Sequence, residues 1–173
     1  MKVLRTYYIF LFSAVVIGQE KEPIKYEDLY ERNGLIYASD QDSSFNGTVD
    51  ENWPTGINKL SYTYKNGKPD SKWSDWFNNG QPKEEVEYSD GIKNGLHKQW
   101  YKNGQQKFER TYKNGIHDGK WTEWYENGQP MVEGNFLDGK PDGAWIYWYP
   151  NGQTREEGNP VSSDTSSLAF LND

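Results

Sequence analysis

One spacing governs this chain. Asn-Gly pairs end at Gly80, Gly104, Gly128 and Gly152, 24 residues apart. Trp76, Trp100, Trp124 and Trp148 keep the same step, and so do Phe77, Tyr101, Tyr125 and Tyr149. A second series of turn pairs runs in phase: YKNG at 64–67, YSDG at 88–91, YKNG at 112–115 and FLDG at 136–139. Gly95, Gly119 and Gly143 open the units, with Ser71 in that slot earlier. Trp53 and Gly56 extend the frame back into a degenerate unit at 47–70, and the last unit, 143–160, is truncated. Between them lie 71–94, 95–118 and 119–142. In such an array each unit completes its core only against its neighbours.

Two turn signals per unit decide the class. Asn-Gly and Asp-Gly favour turns that need positive φ, as in tight hairpins. Between them run aromatic or β-branched stretches such as KWTEWYE and PMVEGNF, which read as strands. No segment between glycines is long enough to nucleate a helix. The chain therefore reads as all-β, an elongated single sheet of antiparallel hairpins. Nine or ten strands at about 4.8 Å spacing give a body about 45 Å long.

Alternation sorts the rings. It predicts Trp121, Glu123 and Tyr125 on one side of their strand, and Thr122 and Trp124 on the other. Trp145, Tyr147 and Tyr149, against Ile146 and Trp148, repeat the pattern. Stacking of equivalent positions predicts ladders of Trp over Trp and Tyr over Tyr.

Composition fits this picture. Mean hydropathy is −1.06, near the disordered range, yet 16 % of residues are aromatic, with eight Trp and thirteen Tyr. Each ring can bury roughly 150–250 Å², so a few per unit can hold a thin sheet. The net charge of −7 argues against nucleic acid and anionic membrane surfaces as partners. There is no cysteine and only His97 and His117, which removes disulfides and Cys- or His-rich metal sites.

The flanks read differently. Lys2 and Arg5 precede the apolar run YYIFLFSAVVIG. That run is short for a membrane span and reads as a signal peptide over 1–18, with an uncleaved anchor as the alternative. Residues 19–46 read as an N-terminal cap containing the strand GLIYAS, because a bare sheet edge invites aggregation. Residues 161–173 carry no repeat signal and read as a disordered tail. Asp40, Asp42, Ser44, Thr48 and Glu51 have calcium-loop spacing, but Phe45 stands where such a loop needs glycine. Asn46-Gly47-Thr48 is a glycosylation sequon, meaningful only in a eukaryotic secretory pathway.

The unit GKWTEWYENGQPMVEGNFLDGKPD, 119–142, resembles the MORN repeat, in the bacterial variant of the YwqK-family antitoxins. Unit 95–118 differs by His97 in the first Trp slot and Arg110 in the slot of Gly134. Unit 71–94 starts with Ser71 and has Val86 in that second slot. The resemblance covers about residues 45–158. It implies a groove-like hairpin sheet that binds proteins, and in the YwqK branch neutralisation of a cognate toxin.

Trp73, Trp76, Trp100, Trp121, Trp124, Tyr125, Trp145, Trp148 and Tyr149 are the candidate partner-binding residues, since Trp and Tyr dominate interface hot spots. The competing reading is that the same rings are the sheet's own packing. No catalytic, cofactor or metal-binding residues are assigned. No serine or second histidine is placed by any motif to work with His97, and His117 falls on a turn. The carboxylates, Glu84, Glu85, Glu87, Glu156 and Glu157 among them, read as a solvated face. The expectation is an exported, monomeric, non-enzymatic scaffold for a protein partner, with a toxin as one candidate. Carbohydrate or cell-wall binding through Trp and Tyr ladders is the alternative, and a carboxylate hydrolase a remote one.

Overall fold

The computed structural model describes residues 24–158. The segments read as signal peptide and tail lie outside them. After a single 3-10 turn, Tyr26–Asp28, a hairpin forms from β1 (Leu29–Arg32) and β2 (Leu35–Ala38). The repeats then build β3 (Gly47–Asn52), β4 (Asn58–Lys65), the short β5 (Lys68–Pro69), β6 (Ser71–Trp76), β7 (Pro82–Ser89), β8 (Ile92–Trp100), β9 (Gln106–Lys113), β10 (Ile116–Trp124), β11 (Pro130–Leu137), β12 (Lys140–Trp148) and β13 (Thr154–Gly158). These form one antiparallel sheet of eleven strands in chain order, with β5 beside β4. The array is the expected one, with the short β5 bringing the sheet to eleven strands rather than nine or ten.

Both turn series do what their residues dictate. At Asn114-Gly115 both residues have positive φ, 50° and 85°, as a tight hairpin turn matching the strand twist requires. Its backbone also grips the preceding repeat: Gly115 N–H donates to the Lys93 carbonyl at 2.8 Å, and Gly139 N–H to that of His117 at 2.9 Å. At the opposite edge, Asn79, Asn103 and Asn127 donate their side-chain amides to the carbonyls of Lys102, Glu126 and Pro150 at 2.8–2.9 Å. The asparagines thus shape their own loops and pin the next loop along.

The two faces differ in chemistry. On one, Phe136 is wedged between Trp121 and Trp145, with ring centroids 5.2 and 5.1 Å away. Trp121 and Trp145 are fully buried, and Val132 completes the cluster. A second cluster joins Ala38 and Phe45 to Val49, Leu60 and Tyr64, so the β1–β2 segment packs on the first repeat. On the other face Thr122 is flanked across strands by Glu109 and Glu133. There Lys72–Glu85, Lys98–Glu109 and Lys120–Glu133 form ion pairs at 2.6, 2.9 and 3.5 Å.

The expected ladders of identical rings hold at one step, where Trp121 and Trp145 lie 6.4 Å apart, and are corrected elsewhere by this geometry. Equivalent residues of successive repeats lie two strands apart, about 9.6 Å, so the intervening strand supplies the next ring. No ring contact among the described residues joins Trp76, Trp100, Trp124 and Trp148 to one another. The continuous stack is a mixed one, running Tyr112–His117–Phe136–Trp145 across the successive strands β9 to β12.

Candidate functional site

The ring-packed face changes character at its centre. His97 takes the slot filled by Trp73, Trp121 and Trp145 in the other repeats. It is buried, and its Nε2 lies 2.7 Å from Glu84 Oε1 while its Nδ1 lies 3.3 Å from Lys93 Nζ. An ammonium can only donate, so Nδ1 accepts from Lys93 and the Nε2–H donates to Glu84. The hydrogen bond from His97 holds the Glu84 carboxyl below the usual range, and burial pulls the Lys93 ammonium down. Both ring nitrogens are thereby engaged, which leaves His97 no free position to act as a base.

A second pair lies beside the first. Arg110 donates to Glu123 Oε1 at 2.6 Å and lays its guanidinium over the rings of Trp121 and Phe108, at 3.9 and 4.1 Å. His117 packs at 4.4 Å from the Tyr112 ring. Burial, then the charges of Arg110 and Lys93, lower its pKa. Its Nδ1 and the Arg110 Nε are buried without a partner among the described residues. These six polar residues occupy a stretch where repeat 119–142 puts Val132 and Gly134, and 143–160 puts Trp145 and Tyr147. Burying charge in this way costs stability unless pairing is complete.

The loop edge of the sheet carries the aromatic residues that remain accessible. Trp121 and Trp145 are enclosed in the core, and Trp73 stacks on Tyr62 at 4.3 Å with its indole N–H donated to the Thr63 carbonyl. Trp76, Trp100, Trp124, Tyr125 and Trp148 are half-buried at the loop ends of their strands, and Tyr149 is exposed. Their row is tied along the sheet: Trp53 Nε1–H donates to the Trp76 carbonyl at 3.3 Å, Tyr101 to that of Trp124 at 2.9 Å, and Tyr125 to that of Trp148 at 2.8 Å. Near the first repeat this edge opens into a cleft of about 280 Å³ lined by Trp53, Lys59, Asp75, Trp76, Phe77, Asn78 and Lys83.

Sequence reasoning placed the rings but not the polar cluster on the packed face. The departures at His97 and Arg110 were visible as broken repeat slots. Their partners Glu84 and Glu123 come from neighbouring strands, Lys93 stands four residues before His97 on the same strand, and none had a local signal. No group of described His, Asp or Glu residues is placed to hold a metal ion. Within the calcium-like spacing, the Glu51 carboxylate accepts from Lys59 and from Tyr26 N–H.

Fold and surface together define a single-sheet repeat scaffold. The MORN repeat variant matches four segments, 69–90, 93–114, 118–138 and 141–159. The chain is a MORN-type repeat protein. The degenerate unit with Trp53 falls outside the matched segments, apart from its last two residues. No curated protein matches the sequence. No helix among the described residues is long and apolar enough to cross a membrane.

Proposed function

We propose that this protein is an exported, non-enzymatic scaffold that binds a protein partner as a monomer, with neutralisation of a toxin as its role. The observation carrying the reading is the row of half-buried aromatic residues along the loop edge, from Trp53 to Trp148, tied at three of its four junctions. Rigid Trp and Tyr side chains offer contact area at low entropic cost. Repeat sheets of this kind serve binding rather than chemistry, and both nitrogens of His97 are occupied. Export rests on the charged and apolar N-terminal residues, and the toxin role on the resemblance to YwqK-family antitoxins.

The test is capture of partners on the tagged mature chain from its native envelope fraction, followed by reconstitution with the purified candidate. A stoichiometric complex, and growth rescue when the partner is a toxin, supports the reading. Glycan retention without any protein partner would replace it with carbohydrate binding.

A further inference from the structure

The cleft at the loop edge has neighbours at a fixed repeat phase. Lys59, Lys83, Lys107 and Arg155 occupy one slot of successive repeats, interrupted only by Met131. Lys59 is engaged by Glu51 at 2.9 Å. Lys83 and Lys107 are exposed and form no ion pair among the described residues. The lysines on the opposite face, Lys72, Lys98 and Lys120, are instead matched to glutamates. A chain of net charge −7 therefore keeps two exposed cations free of ion pairs at this phase, Lys83 on the aromatic-walled cleft near Asp75 and Glu84, and Lys107 one repeat on.

The rings at the cleft depart from the repeat. The position that is Tyr101 and Tyr125 later is Trp53 and Phe77 here. Trp53 ties this junction through its indole N–H to the Trp76 carbonyl at 3.3 Å, and the cleft opens beside that bond. At about 280 Å³ it is near the small end of ligand pockets and suits one ring rather than an extended ligand. Its walls are Trp53, Trp76 and Phe77, with Asn78 and Lys83 on the lining beside Asp75, which accepts from Tyr62, and Lys59, which is paired with Glu51.

We propose that this edge binds an extended acidic segment of a partner protein, seating one aromatic side chain between Trp53, Trp76 and Phe77 and facing carboxylates to Lys83 and Lys107. The inference rests on the protein-scaffold reading and specifies its partner. Spacing gives a register. Successive repeats lie about 9.6 Å apart, and a chain in the polyproline II conformation advances about 3.1 Å per residue with three residues per turn, so every third side chain points the same way. Carboxylates at every third residue therefore meet successive lysines. Their charge steers association and fixes register, while the ring supplies the anchor.

The experiment uses the mature chain and a short synthetic peptide with a central phenylalanine and glutamate at every third position. Binding is followed by calorimetry and by the indole N–H resonances of Trp53 and Trp76. Both resonances shift on titration, and a peptide with lysine for glutamate leaves them in place. The chain carrying Lys83→Glu and Lys107→Glu, both surface changes, binds about tenfold more weakly at low salt. Lys140→Glu, at the opposite turn edge, has no effect. Absence of the shifts, or equal binding of the lysine peptide, overturns the inference. Capture of a partner by the scaffold is scored separately. A partner retained in full by the double variant leaves the scaffold reading standing and removes this one.

Discussion

Tyr125 donates its hydroxyl to the main-chain carbonyl of Trp148 at 2.8 Å, one repeat further along the sheet. Tyr101 makes the same bond to Trp124 at 2.9 Å. A side chain at a fixed phase thus satisfies a backbone acceptor that the loop would leave outside the strand ladder. The bond couples neighbouring hairpins without a ring contact between Tyr101 and Tyr125.

Phe77 occupies the same phase without a hydroxyl. Phe77→Tyr is expected to supply the missing bond to Trp100 and stabilise the fold by about 1 kcal/mol, whereas Tyr125→Phe loses a similar amount. Urea midpoints of the two variants, compared at equal m-value, check this. A midpoint unchanged in both would show that the row is tied by packing alone.

Gly134 lies beneath the Trp145 indole. A Cβ built there would fall 2.3 Å from the ring, so Gly134→Ala must displace a fully buried side chain. A loss of about 2 kcal/mol or more is expected. Thermal unfolding with near-ultraviolet circular dichroism reports both the stability and the Trp environment.

Ser71 adopts φ 62°, in the slot where Gly119 has φ 108°. A residue with a Cβ is strained in this region. Ser71→Gly is expected to stabilise by up to about 1 kcal/mol, offset in part by the greater freedom of glycine in the unfolded chain and by loss of the Ser71–Asp70 contact. A lower denaturation midpoint would contradict the assignment of strain.

Arg110 and Glu123 are both nearly buried, with side chains 13 % and 10 % exposed. Arg110→Gly strands a buried carboxylate and is expected to cost about 3 kcal/mol. The double change Arg110→Gly with Glu123→Tyr copies Gly134 and Tyr147 of the following slots. It is expected to recover most of that loss. A double-mutant cycle measures the recovery, and additive losses would contradict it.

Two groups set the response to acid. His117 has a folded pKa below its ordinary value, so the unfolded chain takes up its proton first. Stability is then full above about pH 6.5 and falls as the pH drops towards the folded pKa. Glu84 is also depressed, so its contribution is full above about pH 4.3 and is lost as pH falls through its folded pKa. Melting temperatures should decline in two stages on acidification. His117→Gln removes the first stage and leaves the second.

The repeat, the turns and the strand order were all legible in the sequence, because each depends on local chemistry repeated at one period. Asn114-Gly115 announces its turn whatever surrounds it. The fate of individual rings was less legible. Alternation puts Trp121 and Tyr125 on one side, yet Trp121 is core and Tyr125 lines the loop edge. The expectation of identical stacked rings holds only for Trp121 and Trp145, because elsewhere the intervening strand supplies the neighbouring ring.

Sequence alone determined the period, the all-β class and the hairpin succession, since turn propensity and alternation act within a few residues. Tertiary structure decided that His97 meets Glu84 from another strand, that Gly134 exists to receive Trp145, and that Trp53 and Phe77 line a cleft. Those outcomes depend on cross-strand register and on the volume left between side chains distant in sequence, which no local pattern records.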